Sequence, residues 1–494
     1  MSLTTRILPL LLLFPAVALA EPISLDDYLA RVARNHPYAA SQALGPDIER
    51  QRRAALAGDE DWRLAASPTL YHAEGGALGP FSPEQTDRFS LGLSAGRTSW
   101  ATGGRLSVGY DYTRSDQHLT ALTLPVTGGT GFVDIPTGPE RFDQSRVNVG
   151  YALPLLKGRG GSLARLPWEA AAFDVQAAEL ETAENVEAFL AGAGVRYLDW
   201  VLATEQHAIA GRRRALAAEE LERTERKRRQ NLVDTADVLR ARAALLAAEQ
   251  EVIRAQAATR ALRTELAVLA GLPADQLEAP DFDLYARAPL PPPGNALRAL
   301  SESARVLKVF DLREARLARH AEGAREAARP DLDVQVNAAL SGSGTGASDA
   351  LSMNDPAYGV GVSLRYPLGN RSARADLRRV GLERQRLAAA RDGAARDLSA
   401  ALSGITVRLD ELERLLTVTA QAVEVARSKT AEEEKLHAQG RTELTFVIQS
   451  RDDEQRAQAA HASTAAAWQQ LHITWRELTD TLLPMEIPAP EDTP

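Results

Sequence analysis

The chain has no cysteine among its 494 residues. Disulfides, thiolate metal sites and attachment of a lipid to an N-terminal cysteine are therefore excluded. Aromatic residues are scarce, at 5%, although the chain is long enough for two or three ordinary domains. Positive charge is outnumbered, giving a formal net charge of -9. Neutralising phosphates needs a basic face, so a nucleic-acid partner is not expected. Long hydrophobic runs are also missing: beyond the N-terminus none approaches the roughly 20 apolar residues of a membrane-spanning helix. If the protein meets a membrane interior, it must do so with strands.

What is present begins with a secretory pattern over 1–20. Arg6 supplies the positive region, Ile7 to Phe14 the apolar core, and Ala18-Leu19-Ala20 a small-residue cleavage site. Further along, two segments make the same move from strand to helix. In RVNVGYALPL, Val147, Val149, Tyr151 and Leu153 alternate with small or polar residues; in YGVGVSLRYPL, Val360, Val362, Leu364 and Tyr366 do the same. Period two predicts a strand with one apolar face. Each alternation stops at a Pro-Leu pair, Pro154-Leu155 and Pro367-Leu368, because proline cannot donate to a ladder. A Gly/Arg/Ser turn and a long polar helical pattern follow both times, so the chain reads as an internal duplication.

The first repeat covers 21–278: an opening helix with Ser24 as N-cap and Asp27 three residues on, strands within 64–153, and a helical hairpin over 162–271. Thr113 to Gln144, rich in Gly, Pro and Thr and without a period, reads as a long exposed loop. A proline-rich linker over 279–295 leads to the second repeat, 296–483, with a helix, strands within 331–366, a Gly/Ser loop from Ser341 to Pro356, and a hairpin over 373–483. The tail, 484–494, is expected to be unstructured. The first rod, about 65 residues long, would extend roughly 100 Å, too long for a compact domain. Its apolar residues recur by threes, fours and sevens, the pattern of a coiled-coil seam with Ala allowing close approach. The charge run Glu219 to Arg229 reads as a solvated helix face.

Strands with one apolar face, an exported chain and aromatics near strand ends (Tyr110, Tyr112, Tyr151, Tyr358 and Tyr366) together favour a barrel with lipid outside and water inside. Such a sheet must close so that no edge faces lipid. Four to six strands cannot enclose a water-filled bore alone, so several chains must each supply a sector.

In its opening SLDDYLARVARNHP, the YALPLLKGRGG and RYPLGNRSARADL junctions, Tyr197-Leu198-Asp199-Trp200, the two hairpin tips and LAVLAGLP, the chain resembles the TolC-like outer-membrane efflux protein family over nearly all of its mature length. The resemblance implies an α+β fold: a homotrimeric outer-membrane β-barrel of about four strands per chain, twelve in total, continuous with a long α-helical coiled-coil tunnel in the periplasm. It implies a periplasmic adaptor and an inner-membrane pump or exporter as partners, outer-membrane lipid around the barrel, and the role of outer-membrane channel in a tripartite efflux or type I secretion system. The extra hairpin Phe89 to Tyr112 departs from the family pattern and is expected outside the barrel wall, a larger barrel being the alternative.

The resemblance also implies that the two hairpin tips close the tunnel. Asp237 matches the aspartate of the family's tip motif, whereas Phe446 stands where some members place a second aspartate; Arg441 and Glu443 are the substitutes nearby. Asp234, Asp237 and Glu443 could then form an acidic gate with Arg441 as the cross-helix partner, or Phe446 a hydrophobic constriction. As ordinary turn residues, the same side chains would simply be solvated.

Catalysis has no anchor. No histidine pair shows metal-site spacing, no G-x-S-x-G elbow occurs, and nothing resembles a phosphate-binding loop, so no enzyme activity, metal or cofactor is expected. Two other function classes remain. A soluble periplasmic coiled-coil scaffold explains the rods but leaves the strands and the signal without a purpose; a passive outer-membrane porin explains the strands but needs no rods.

Overall fold

The computed structural model describes residues 22–75, 83–119, 122–125, 129–135, 141–277 and 279–482. The proposed signal and the tail lie outside them. In order, the chain forms β1 (Ile23–Ser24), α1 (Leu25–Asn35), α2 (Pro37–Leu56), β2 (Arg63–Glu74), β3 (Pro83–Thr98), β4 (Arg105–Leu119), β5 (Leu122–Pro125), β6 (Phe132–Ile135), β7 (Arg141–Pro154), α3 (Leu166–Arg229) and α4 (Thr235–Leu269). It continues with β8 (Pro280–Asp281), α5 (Pro293–Ser303), α6 (Arg305–Ala327), β9 (Asp331–Gly344), α7 (Ala347–Ala350), β10 (Asp355–Arg365), α8 (Arg371–Ala438) and α9 (Leu444–Leu478). Helices α3 and α8 run for 64 and 68 residues. They are sustained by Ala, Leu, Glu and Arg, which lose little on entering a helix.

The chain divides into two compact units that each draw on both halves of the sequence. One holds residues up to 44, 180–307 and those from 393 on; the other holds 45–179 and 308–392.

The first unit has the aromatic core. Tyr28, Tyr197, Leu198 and Trp200 are almost completely buried. Tyr28 stacks on Tyr197 with ring centroids 5.5 Å apart, and Trp200 meets Tyr197 edge-on at 5.9 Å. The buried phenols keep partners: Tyr197 donates to the Ile23 carbonyl at 2.6 Å and Tyr28 to that of Leu266 at 3.4 Å. Ser24 caps α1 by accepting from the Asp27 N–H at 3.2 Å. Pro37 opens α2, where its missing N–H costs nothing, and the helix then runs through Pro46.

The second unit holds a sheet of six described strands in the order β10-β9-β7-β4-β3-β2, every neighbouring pair antiparallel. The pairing of β7 with β9 joins the two halves of the chain, Tyr151 opposite Val336.

Two expectations change here. The segment Phe89 to Tyr112 does not leave the sheet. Its strands, β3 and β4, lie between β2 and β7 and pair along almost their whole lengths, so the described sheet has six strands and not about four. Thr113 to Gln144 is likewise no uninterrupted loop: β4 reaches Leu119, β5 pairs with β6, and β7 begins at Arg141. The alternation disappears there because both faces turn polar, yet the backbone ladder persists, with Thr113 opposite Gln144 and Arg114 opposite Asp143. A ladder needs paired amides, not apolar side chains. For the same reason β9 runs on to Gly344, and α7 forms within the expected Gly/Ser loop.

Candidate functional site

The pairing register places side chains of like character on one face of the sheet. Leu64, Ala66, Pro68 and Leu70 of β2 lie level with Ala95, Leu93, Leu91 and Phe89 of β3, and these with Val108, Tyr110, Tyr112 and Arg114 of β4. The face continues through Val149, Val147 and Ser145 of β7 to Ala338, Leu340 and Gly342 of β9, and lower down through Val334 and Val336 to Val362 and Val360 of β10. The opposite face carries Ser67, Thr69, Ser90, Gly92, Ser107, Gly109, Asn148, Gln335, Asn337, Gly361 and Ser363. The apolar face lies open: Leu70 is 85% exposed, Tyr358 82% and Val360 77%. An exposed apolar surface of this extent marks contact with another protein or a membrane.

Glycines in left-handed geometry carry the first strand into its helix. Gly158, Gly160 and Gly161 all have positive φ, and a Cβ on Gly161 would overlap the Trp100 carbonyl oxygen. The β3–β4 turn is fastened to this junction. Its Thr102 carbonyl accepts from the Gly160 N–H at 3.2 Å, Thr102 Oγ1 lies 2.9 Å from the Tyr151 hydroxyl, and Trp100 packs on Trp168 at 5.6 Å. Pro154 is the last residue of β7, and the Leu155 N–H still donates to the Leu332 carbonyl at 2.8 Å. Pro367 and Leu368 follow β10, and Asn370 (φ 42°) turns the chain into α8 while donating to the Ala328 carbonyl at 2.8 Å.

The two hairpin tips are built alike. α3 ends with Asn231 in left-handed geometry and the Leu232 N–H returning to Lys227; α8 ends with Gly440 in the same geometry and Arg441 N–H returning to Leu436, both at 2.9 Å. This is the Schellman closure, which suits only residues that tolerate positive φ. Asp234 and Glu443 then occupy the N-cap positions of α4 and α9, without a side-chain cap bond. Within one chain Asp237 pairs with Arg240 on its own helix at 2.8 Å, and Arg441 reaches Gln439 at 3.5 Å. Asp237 and Arg441 are thus not bonded to each other, and they are not equivalent positions: three residues past the N-cap, Asp237 corresponds to Phe446, while Arg441 corresponds to Leu232. Phe446 is 51% exposed, whereas its neighbour Val447 is buried.

A second set of charges lies deeper in the same bundle. Arg451 of α9 reaches Glu434 of α8 at 2.6 Å and Glu220 of α3 at 3.6 Å, with Arg451 and Glu220 both nearly excluded from solvent. Thr224 donates to the Glu220 carbonyl at 2.8 Å, and Arg213 pairs with Asp452 at 2.8 Å. Glu220 and Thr224 belong to the run Glu219 to Arg229, which is thus not wholly a solvated face. The available signal was spacing: Arg213, Ala217, Glu220 and Thr224 continue the seam at intervals of four, three and four residues.

Among the described residues, one carboxylate cluster has the spacing to bind a cation: Glu184, Glu187 and Asp480. The guanidinium of Arg305 contacts all three, so the cluster already has its positive charge. Burial, and then the nearby Asp480, push the Glu184 carboxyl above the ordinary range, with Arg305 opposing them.

No family model matches the chain, and no curated protein matches it. Solved structures do. The outer membrane protein VceC of Vibrio cholerae superposes with a TM-score of 0.64 at 14% identity, over 92% of this chain and 95% of that one. The chain has the fold of the TolC-like outer-membrane channels. The CmeC outer membrane channel of Campylobacter jejuni shares this fold at a TM-score of 0.63 and 10% identity, covering 92% of this chain and 85% of that one. For the open-state MtrE outer membrane channel of Neisseria gonorrhoeae the values are 0.62 and 13%, over 93% and 89%. No described helix of this TolC-like chain is long and apolar enough to cross a membrane.

Proposed function

We propose that the protein is the outer-membrane channel of a tripartite efflux or type I secretion system. Three copies would close their sheets into one barrel, with the helical hairpins forming a periplasmic tunnel. The observation that carries this reading is the apolar face running across every strand of the sheet, joined at Pro154-Leu155 and Pro367-Leu368 to helices far longer than a compact domain needs. A soluble scaffold would leave that face in water, and a porin would not need the rods. Energy would come from an inner-membrane pump or exporter reached through a periplasmic adaptor.

The protein is expected to sediment with outer membranes and to migrate as a trimer on gels before boiling, as a monomer of about one third that mass after it. A soluble monomer in the periplasmic fraction would reject the reading. At the tips, Asp234, Asp237, Arg441, Glu443 and Phe446 would bound the periplasmic aperture. Neutralising Asp237 and Arg441 together (Asp237→Asn with Arg441→Gln) is expected to raise single-channel conductance in planar bilayers. Unchanged conductance would mark both as solvated turn residues.

A further inference from the structure

We propose that the barrel wall has eighteen strands, six from each of three chains, sealed by β10 of one copy pairing with β2 of the next. This rests on the trimeric channel proposed above and goes beyond it in strand number, in the identity of the seam and in the width of the outer mouth.

Three observations point to this closure. The apolar face does not stop at four strands: Leu64 and Leu70 of β2 and Phe89, Leu91 and Leu93 of β3 extend it in register with β4 and β7. A hairpin folded away from the wall would have no reason to keep that face aligned with the wall's own. The β3–β4 turn is also fastened at the junction through Thr102, Trp100 and Gly161, so β3 cannot leave the wall without breaking those contacts.

The third observation concerns the edges. β2 has 12 residues and β10 has 11, and among the described residues each pairs on one side only. Nearly every residue of both strands is exposed, on either face; on the apolar face Leu64 is 80% exposed, and Val362 and Leu364 are each 69% exposed. Unpaired amide rows of this length cannot face hydrocarbon. Because neighbouring strands alternate in direction and their number is even, β10 and β2 of adjoining copies run antiparallel when the ring closes. Pro68 lacks an N–H, so the ladders on the two sides of β2 together hold one bond fewer at that residue. Barrel diameter grows about linearly with strand number, so eighteen strands give a mouth about 1.5 times as wide as twelve.

The chain has no cysteine, so an introduced pair supplies its only thiols. Thr69→Cys in β2 would be combined in turn with Gly359→Cys, Gly361→Cys or Ser363→Cys in β10, all on the polar face, and oxidised in native outer membranes. Within one chain the two edges lie five strand spacings apart, about 24 Å, beyond disulfide reach. The expected result is that one register converts the protein to covalent trimers on denaturing gels without reductant. Covalent dimers only would show a two-chain, twelve-stranded ring and overturn the proposal. So would the absence of any β2 link together with a link from Gly361→Cys to Ser107→Cys or Gly109→Cys of β4 on a neighbouring copy, the mark of a four-strand sector. If no pair links, the proposal also fails; native mass spectrometry of the unmodified protein then shows whether the trimer itself is absent, which would reject the underlying channel reading.

Discussion

Replacing Arg451 by methionine is expected to destabilise the helical unit by about 3–5 kcal/mol, the usual cost of removing one partner from a buried ion pair. Methionine keeps most of the stem's volume, so the loss would come from charge and not from a cavity. Arg451 is 6% exposed and its partner Glu220 4%. Its Nη1 also donates to the Leu216 carbonyl at 3.4 Å, and Nε donates to Glu434 at 2.8 Å. Without the guanidinium, Glu220 keeps, among the described residues, Arg223, 3.5 Å away and half exposed, and a weak contact from Thr224 at 3.4 Å. The carboxylate would stay in a poorly solvated seam with little to neutralise it. Adding Glu220→Gln should therefore recover most of the loss, and thermal unfolding of the two single variants and the double in detergent would measure the coupling. Equal losses in Arg451→Met and in the double variant would show that the arginine does not serve Glu220. The network ties α9 to both α3 and α8 in the same unit as the tips. If the proposed channel is closed at these tips, a weakened network is expected to raise its open probability together with the loss of stability.

The parts legible in the sequence are those where one periodicity holds without interruption. Val147 to Leu153 and Val360 to Leu364 alternate because one face of β7 and β10 is apolar and the other small or polar, and both segments are strands. Tyr197-Leu198-Asp199-Trp200 is legible as a family-like motif with Leu198 in the helical seam, and its Tyr197 and Trp200 join Tyr28 as the most buried aromatics of the helical unit, with Asp199 accepting from Gln470 at 2.7 Å. What escaped was structure held by backbone pairing alone. The outer halves of β4 and β7 have polar side chains on both faces, and no apolar pattern announces a ladder there. The strand count escaped for a different reason: the alternation in Phe89 to Leu93 and Leu106 to Tyr112 was plain, but nothing in one sequence tells a wall strand from a hairpin outside it. The register, which sets Leu93 against Tyr110 and Tyr110 against Val147, places both strands within the chain's own sheet. At the tips, turn chemistry was readable, since Asn231 and Gly440 suit left-handed caps, while the choice of Arg240 over Arg441 as the partner of Asp237 depends on helix geometry. The buried Glu220 was hidden inside a run of charges whose other members are mostly exposed.

Arg305→Met is expected to produce a loss of similar size that depends on pH. Arg305 closes a cluster in which Glu184, Glu187 and Asp480 place ligand oxygens within 4.8 Å of one another. Two of these acids also hold backbone: the Leu482 N–H donates to Glu187 at 2.8 Å, and the Arg305 N–H donates to Asp480 at 2.8 Å. The cluster thereby joins the start of α6 to α3 and to the residues after α9, all within one unit. Without the guanidinium, the three carboxylates would lose the one cation seen to contact all of them, and removing such a partner costs about 3–5 kcal/mol. The sign of the pH effect follows from linkage. Burial and Asp480 already raise the Glu184 carboxyl, and Arg305 is what opposes them, so the variant should raise it further. A carboxyl with a folded value above its unfolded one weakens the fold at higher pH, and stability returns as pH falls through the folded value and the folded state takes up the proton. The gap between wild type and Arg305→Met should therefore be widest at about pH 8 and shrink toward about pH 5, below which ordinary carboxyls begin to protonate. Arg305→Lys retains the charge and should lose less at every pH. Unfolding midpoints measured across this range would separate the two causes: a gap that stays constant with pH would mean that Arg305 acts through the packing of its stem and not through its charge.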